Sequence, residues 1–225
     1  MQYEIDVPNK LSEITLEQYQ AFSRIVAEND SEEFISQKMV SIFCKIKLSQ
    51  VLFMRVQDVT GIVSTFTDML QGEKKLQTTF KLNDTEFGFI PNLEEMSFGE
   101  YIDLDTNLGD WQTMHKAMAV LYRPITKKVK GKYEIEQYYG TANYSEVMKY
   151  APLDVVMGAM VFFYRLNNEL LKATLNYLEA ELLEMDTQQK NNSANNGDGI
   201  TQSMRSLKET CEDLTRSQPY QFFNV

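Results

Sequence analysis

Histidine and tryptophan each occur once in these 225 residues and cysteine twice, which removes much of the chemistry a chain of this size could carry. Cys44 and Cys211 form no CxxC or other ligand spacing, and both fall in helix-like segments, so they read as buried thiols in a reducing compartment. No Walker lysine, GxGxxG, GxSxG or HExxH is present. The sole histidine, His115, lies between Met114 and Lys116 on an amphipathic stretch with no serine or cysteine nucleophile motif beside it, and reads as packed or surface histidine. Basic residues are outnumbered, 22 Lys and Arg against 32 Asp and Glu, for a formal charge of -10. That balance disfavours nucleic acid as a partner, since gripping a phosphate backbone needs clustered Lys and Arg. The longest apolar run, VVMGAMVFFY from Val155 to Tyr164, is about half of the ~20 residues a membrane span needs, so a core helix is expected there. MQYEIDVPNK has neither a signal-peptide apolar core nor twin arginines, which predicts a cytoplasmic site of synthesis. No enzyme activity, cofactor or metal is expected.

What is present is helical pattern broken by two stretches of alternation. Tyr3, Ile5 and Val7 alternate ahead of Pro8, predicting a short N-terminal strand. Thr15 with Gln18 forms a capping-box signature for a first helix, and Asp30 with Glu33 repeats it for a second. A third helix is predicted over residues 58–70, ended by Gly72. LQTTFKLNDTEFGFIP then places β-rich arms around Asn83 and Asp84, a hairpin closed by Pro91. Ser97 and Glu100 open an acidic helix, and residues 111–122 continue as a helix until Arg123 and Pro124. ITKKVKGKYEIEQY predicts a second hairpin turning at Gly131, and Asn143 with Glu146 caps a short helix before Pro152.

From Pro152 to about Met185 the spacing predicts one long helix. Leu153, Met157, Met160, Tyr164, Asn167 and Leu171 step by four and three, and Leu175, Leu178, Leu182 and Met185 resume the rhythm after a stutter. Asn167 on that seam is a candidate register-setting contact with another chain. An Asn-rich loop at residues 186–202 leads to a last helix that folds back as a helical hairpin, and SQPYQFFNV reads as a docked aromatic arm through Tyr220, Phe222 and Phe223. The expected architecture is mainly α with two small β-hairpins: an α+β region over residues 1–140 and a long helical hairpin over 141–225.

Asp103, Asp105 and Asn107 occupy the first, third and fifth positions of an EF-hand loop. However, Leu108 stands where the loop needs glycine and Met114 where it needs a bidentate glutamate, so the stretch reads as a solvated helix face. Residues 94–110 carry six acids and no base, whereas Arg123, Lys127, Lys128, Lys130 and Lys132 form a basic run with no acid among them. Two solvated surfaces would account for this. So would copies of one chain meeting acid to base, head to tail, with Asp103 and Asp105 facing the lysines.

FGFIPNLEEMSFGEYIDLDTNLGDWQTMHKAMAVLYRPI, residues 87–125, resembles small morphogenesis proteins of tailed bacteriophages, in which a hairpin leads through a proline into an [ST]-x-x-E-[YF] helix and an HKAMAVLYRP helix precedes a basic hairpin. The resemblance implies a non-enzymatic, multi-copy structural protein of the virion, in the head-tail connector, tail or packaged interior, partnered by other virion proteins and by its own copies. The alternative it leaves open is a cytosolic tail-assembly chaperone absent from the mature particle, for which negative charge and twelve methionines are suited. It carries over no ligand or catalytic residue.

Overall fold

The computed structural model describes residues 5–191 and Ser206. The chain is mainly α with a small antiparallel sheet, and it divides at Val161/Phe162 into two compact units. Residue 140, the boundary expected from sequence, lies within the first of them.

The first unit opens with a 3-10 turn at Leu11–Glu13 and then α1 (Leu16–Glu28), α2 (Glu32–Phe43), the single turn α3 (Leu48–Val51) and α4 (Val56–Gln71). Thr15 and Gln18 close the predicted box, each side chain bonding the other residue's backbone N–H, which satisfies two of the amide groups a helix start leaves orphaned. Gln18 also reaches out of its own helix, donating from Nε2 to the Ile42 carbonyl at 2.8 Å. At α2 the cap is Ser31, not Asp30, because the Ser31 hydroxyl is the group that accepts from the Phe34 N–H three residues on. The predicted N-terminal strand does not form among the described residues: Ile5 and Val7 belong to no strand. Among the described residues, the β-pairing near there is a bridge between Thr15 and Pro152, flanked by hydrogen bonds from Leu16 N–H to Ala151 and from Leu153 N–H to Ile14.

Between α4 and the sheet, residues 72–78 are held without regular structure. The buried Lys74 ammonium donates to the Met69 and Leu70 carbonyls at 3.0 Å each and to Gly72, so a side-chain cation covers the carbonyl end of α4. Burial lowers its pKa. Gln77 then bonds the Asp154 carboxylate at 2.7 Å and accepts from the Tyr122 hydroxyl at 2.7 Å.

The two predicted hairpins are β1 (Thr79–Leu82) with β2 (Thr85–Phe89), and β3 (Tyr122–Val129) with β4 (Lys132–Ile135). They are not separate: β2 pairs with β3 through Phe87↔Pro124, Gly88↔Arg123 and Phe89↔Tyr122, giving one sheet in the order β1-β2-β3-β4. The helix predicted over residues 111–122 is shorter, α6 (Met114–Leu121), preceded by a turn in which the Gln112 N–H bonds the Asp110 carboxylate. The strand starts at Tyr122, before the proline. Pro124 has no N–H to give but its carbonyl accepts from Glu136, so it sits in an inner strand at a cost of one donor. The 3-10 turn Leu93–Glu95 and α5 (Phe98–Leu108) fill the connection between β2 and α6, and a 3-10 turn at Thr141–Asn143 with α7 (Ser145–Met148) follows the sheet.

Two aromatic groups build the core of this unit. Trp111, Tyr19, Phe22, Phe43 and Phe66 pack tilted or edge to face in sequence, with successive ring centroids 4.4, 6.4, 5.2 and 5.2 Å apart, and link α1, α2, α4 and the α5–α6 turn. On the sheet Phe80 stacks on Phe87, and Phe80 and Phe89 each meet Tyr122 edge to face. Cys44 is buried in the first group's surroundings as a free thiol, its pKa pushed up to about 11 by burial.

The long helix, α8 (Leu153–Asn191), is longer than predicted. Its first residues, Leu153, Val155, Val156, Met157 and Ala159, are buried in the first unit. In the second unit Tyr164, Leu171 and Leu175 are half-buried and Leu178 is buried, whereas Asn167 is exposed. The fold-back helix and the arm of Tyr220, Phe222 and Phe223 lie outside the described residues.

Candidate docking site

The capping box that starts α5 is also the root of a buried polar network. Ser97 and Glu100 close the predicted box: the Ser97 N–H donates to the Glu100 carboxylate at 2.7 Å, and the Ser97 hydroxyl both donates to that carboxylate, at 2.6 Å, and accepts from the Glu100 N–H. The second carboxylate oxygen takes a charge-assisted bond from the Arg123 guanidinium on β3, and both side chains are only 8% exposed. The Arg123 guanidinium lies over the Tyr138 ring, 5.4 Å from its centroid. The Tyr138 hydroxyl donates back to Asp103, one turn along α5 from Glu100. Helix, inner strand and the segment after β4 are thus joined in a closed circuit.

Burial alone would raise the pKa of Glu100, but hydrogen bonds from Ser97 and the bond and charge of Arg123 outweigh it and hold the carboxyl below its ordinary value. A folded pKa below the unfolded one means a stabilisation fully present above the ordinary glutamate value of about 4.3 and lost as the pH falls through the depressed folded value. Urea titrations at descending pH should therefore show the wild type losing stability below about pH 4.3 faster than Glu100→Gln. Equal slopes would remove Glu100 from the acid response. Burial, then the bond to Asp103, pushes the Tyr138 hydroxyl well above its usual value, so it stays a donor.

Around this circuit opens a cavity of about 370 Å³. Ile90 and Met96 give it apolar wall, Glu95, Glu100 and Glu136 bring three carboxylates, and Arg123 brings one guanidinium. Glu136 accepts from the Tyr144 hydroxyl and Glu95 from the Asn92 amide. The Arg123 Nε–H is buried and has no acceptor.

Beyond the cavity, the start of α5 carries an apolar patch on its outer face. Phe98, Tyr101 and Ile102, spaced i, i+3 and i+4, are 76%, 58% and 45% exposed, a helical stripe that no described residue covers. The sequence reading of this stretch as a solvated acidic face did not mark it.

The sequence-predicted residues separate here. Asp103 is half-buried and engaged with Tyr138, Asp105 is exposed, and Asn107 is buried with its amide donating to the Asp103 carbonyl. The lysines lie on the β3–β4 hairpin. Lys127 pairs with Glu134 at 3.2 Å and Lys128 with Glu86 at 2.9 Å, both on exposed surface. Lys130 and Lys132 are exposed and, among the described residues, make no ion pair. The turn itself has Lys130 at φ +50° and Gly131 at φ +81°, the two positive dihedrals of a type I′ hairpin turn. His115 is half-buried with Nδ1 3.1 Å from the Gln20 amide, and burial lowers its pKa. Comparison with protein-family models, with curated proteins and with solved structures returned no match.

Proposed function

We propose that this chain is a multi-copy structural protein of a tailed-bacteriophage virion, assembled in the host cytoplasm, which works by docking rather than by reaction. The observation that carries the docking part is the stripe of Phe98, Tyr101 and Ile102. A large aromatic left 76% exposed on a capped, well-anchored helix is an association surface awaiting a partner, because a contiguous apolar face is otherwise an aggregation liability. The phage part is supported by the sequence of residues 87–125, which spans the hairpin arm, α5 and α6 that frame this surface.

Mass spectrometry of gradient-purified virions tests it. The chain is expected in many copies per particle. Absence from virions, with a soluble oligomer in the lysate, overturns the structural role and favours the assembly chaperone.

A further inference from the structure

We propose that the cavity beside Arg123 receives the β3–β4 hairpin tip of a second copy, so that copies join head to tail. This rests on the docking reading above and names the partner and the contact.

The cavity's chemistry selects the occupant. Three carboxylates, from Glu95, Glu100 and Glu136, oppose a small anion, and the Arg123 guanidinium opposes a bare cation. A peptide turn bearing lysine answers both demands, since it brings ammonium donors to the carboxylates and backbone carbonyls to the guanidinium. This chain has such a turn. Lys127 and Lys128 are already paired at home, whereas Lys130 and Lys132, at the point of the hairpin, are exposed and make no ion pair among the described residues.

The tip cannot serve its own cavity. Ile135, the last residue of β4, and Tyr138, just beyond it, lie at the base of the hairpin and line the cavity with Arg123, the second residue of β3. Three residue steps along β4 separate Lys132 from Ile135 and seven along β3 separate Lys130 from Arg123, about 10 Å and about 23 Å at 3.3 Å per residue, in a ladder that keeps the two ends apart. The lysines must therefore enter another molecule. Donor and acceptor surfaces differ, so the contact is heterologous and continues into a ring or a filament. The stripe of Phe98, Tyr101 and Ile102 starts one residue after Ser97, which lines the cavity, and adds apolar area next to the charged contact.

Two variants separate the halves. Lys130→Asn with Lys132→Gln removes the tip charge, and asparagine suits the positive φ at position 130, so folding is preserved. Glu95→Lys reverses charge at the cavity on an exposed residue whose bond to Asn92 is local. Thermal melts confirm that both fold. By sedimentation velocity the full wild-type chain is expected to gain mass with concentration and lose it with added salt. Each variant alone should need at least about tenfold more protein to associate. Mixed one to one, the tip variant keeps an intact cavity and the cavity variant an intact tip, so together they should give a dimer and nothing larger. A wild type that stays monomeric, a tip variant that associates like wild type, or a mixture without dimer each overturns the contact. Particle membership is read separately by mass spectrometry, so a monomeric chain found in virions sinks this contact and leaves the proposed function standing.

Discussion

Replacing Arg123 with methionine is expected to cost about 3–5 kcal/mol of folding free energy, because it leaves the Glu100 carboxylate buried without its counter-charge. With each side chain only 8% exposed, water cannot take over the lost bond. On a domain stability of about 5–15 kcal/mol that is a large fraction. The double variant Glu100→Gln, Arg123→Met should recover much of the loss. A glutamine at position 100 still accepts from the Ser97 N–H, so the cap survives while both charges leave together. Urea denaturation of the two single variants and the double, arranged as a cycle, reads the coupling. Strict additivity would mean that Glu100 is stabilised by its cap alone and that Arg123 adds only packing.

Gly158→Ala should be comparably damaging, by about 3 kcal/mol or more. A Cβ at this position of α8 would stand 2.2 Å from the Lys75 carbonyl oxygen and 2.9 Å from its carbon. Those are backbone atoms, and residues 72–78 are pinned on either side by the Lys74 cap and the Gln77 bonds, so they cannot step aside. Gly61→Ala is the matched control. Gly61 is exposed within α4 and an added Cβ meets nothing within 4 Å, so alanine there should stabilise by about 0.5–1 kcal/mol through helix propensity. Opposite signs for the two substitutions in thermal melts are the expected result. A harmless Gly158→Ala would show that the 72–78 segment gives way.

Glycine at 158 carries no mark of this in the sequence. Within VVMGAMVFFY it is one small residue in an apolar run, and only the folding of residues 72–78 across the helix turns its missing side chain into a requirement. Pro124 is similar. Read locally, Arg123 and Pro124 end a helix, and α6 does end at Leu121. That the chain then enters an inner strand depends on β2 being there to pair with it. Asp30 was the expected cap of α2, but the helix starts at Glu32, which puts Ser31 at the capping position.

Local chemistry was legible where a few neighbouring residues satisfy one another. The boxes at Thr15 and Ser97, the turns at Asn83 and Gly131, and the long helix from Leu153 follow from hydrogen bonds and dihedrals that close within four residues, so the sequence by itself determined them, along with the mainly α class. The tertiary structure alone decided that the two hairpins join as one sheet, that Glu100, while closing its cap, also meets Arg123 23 residues away, and that Asp103 turns inward to Tyr138 while Phe98 and Tyr101 turn out. The physical reason is distance along the chain. A buried charge must find its partner wherever packing places one, and no periodicity in the sequence records which strand will lie beneath the helix.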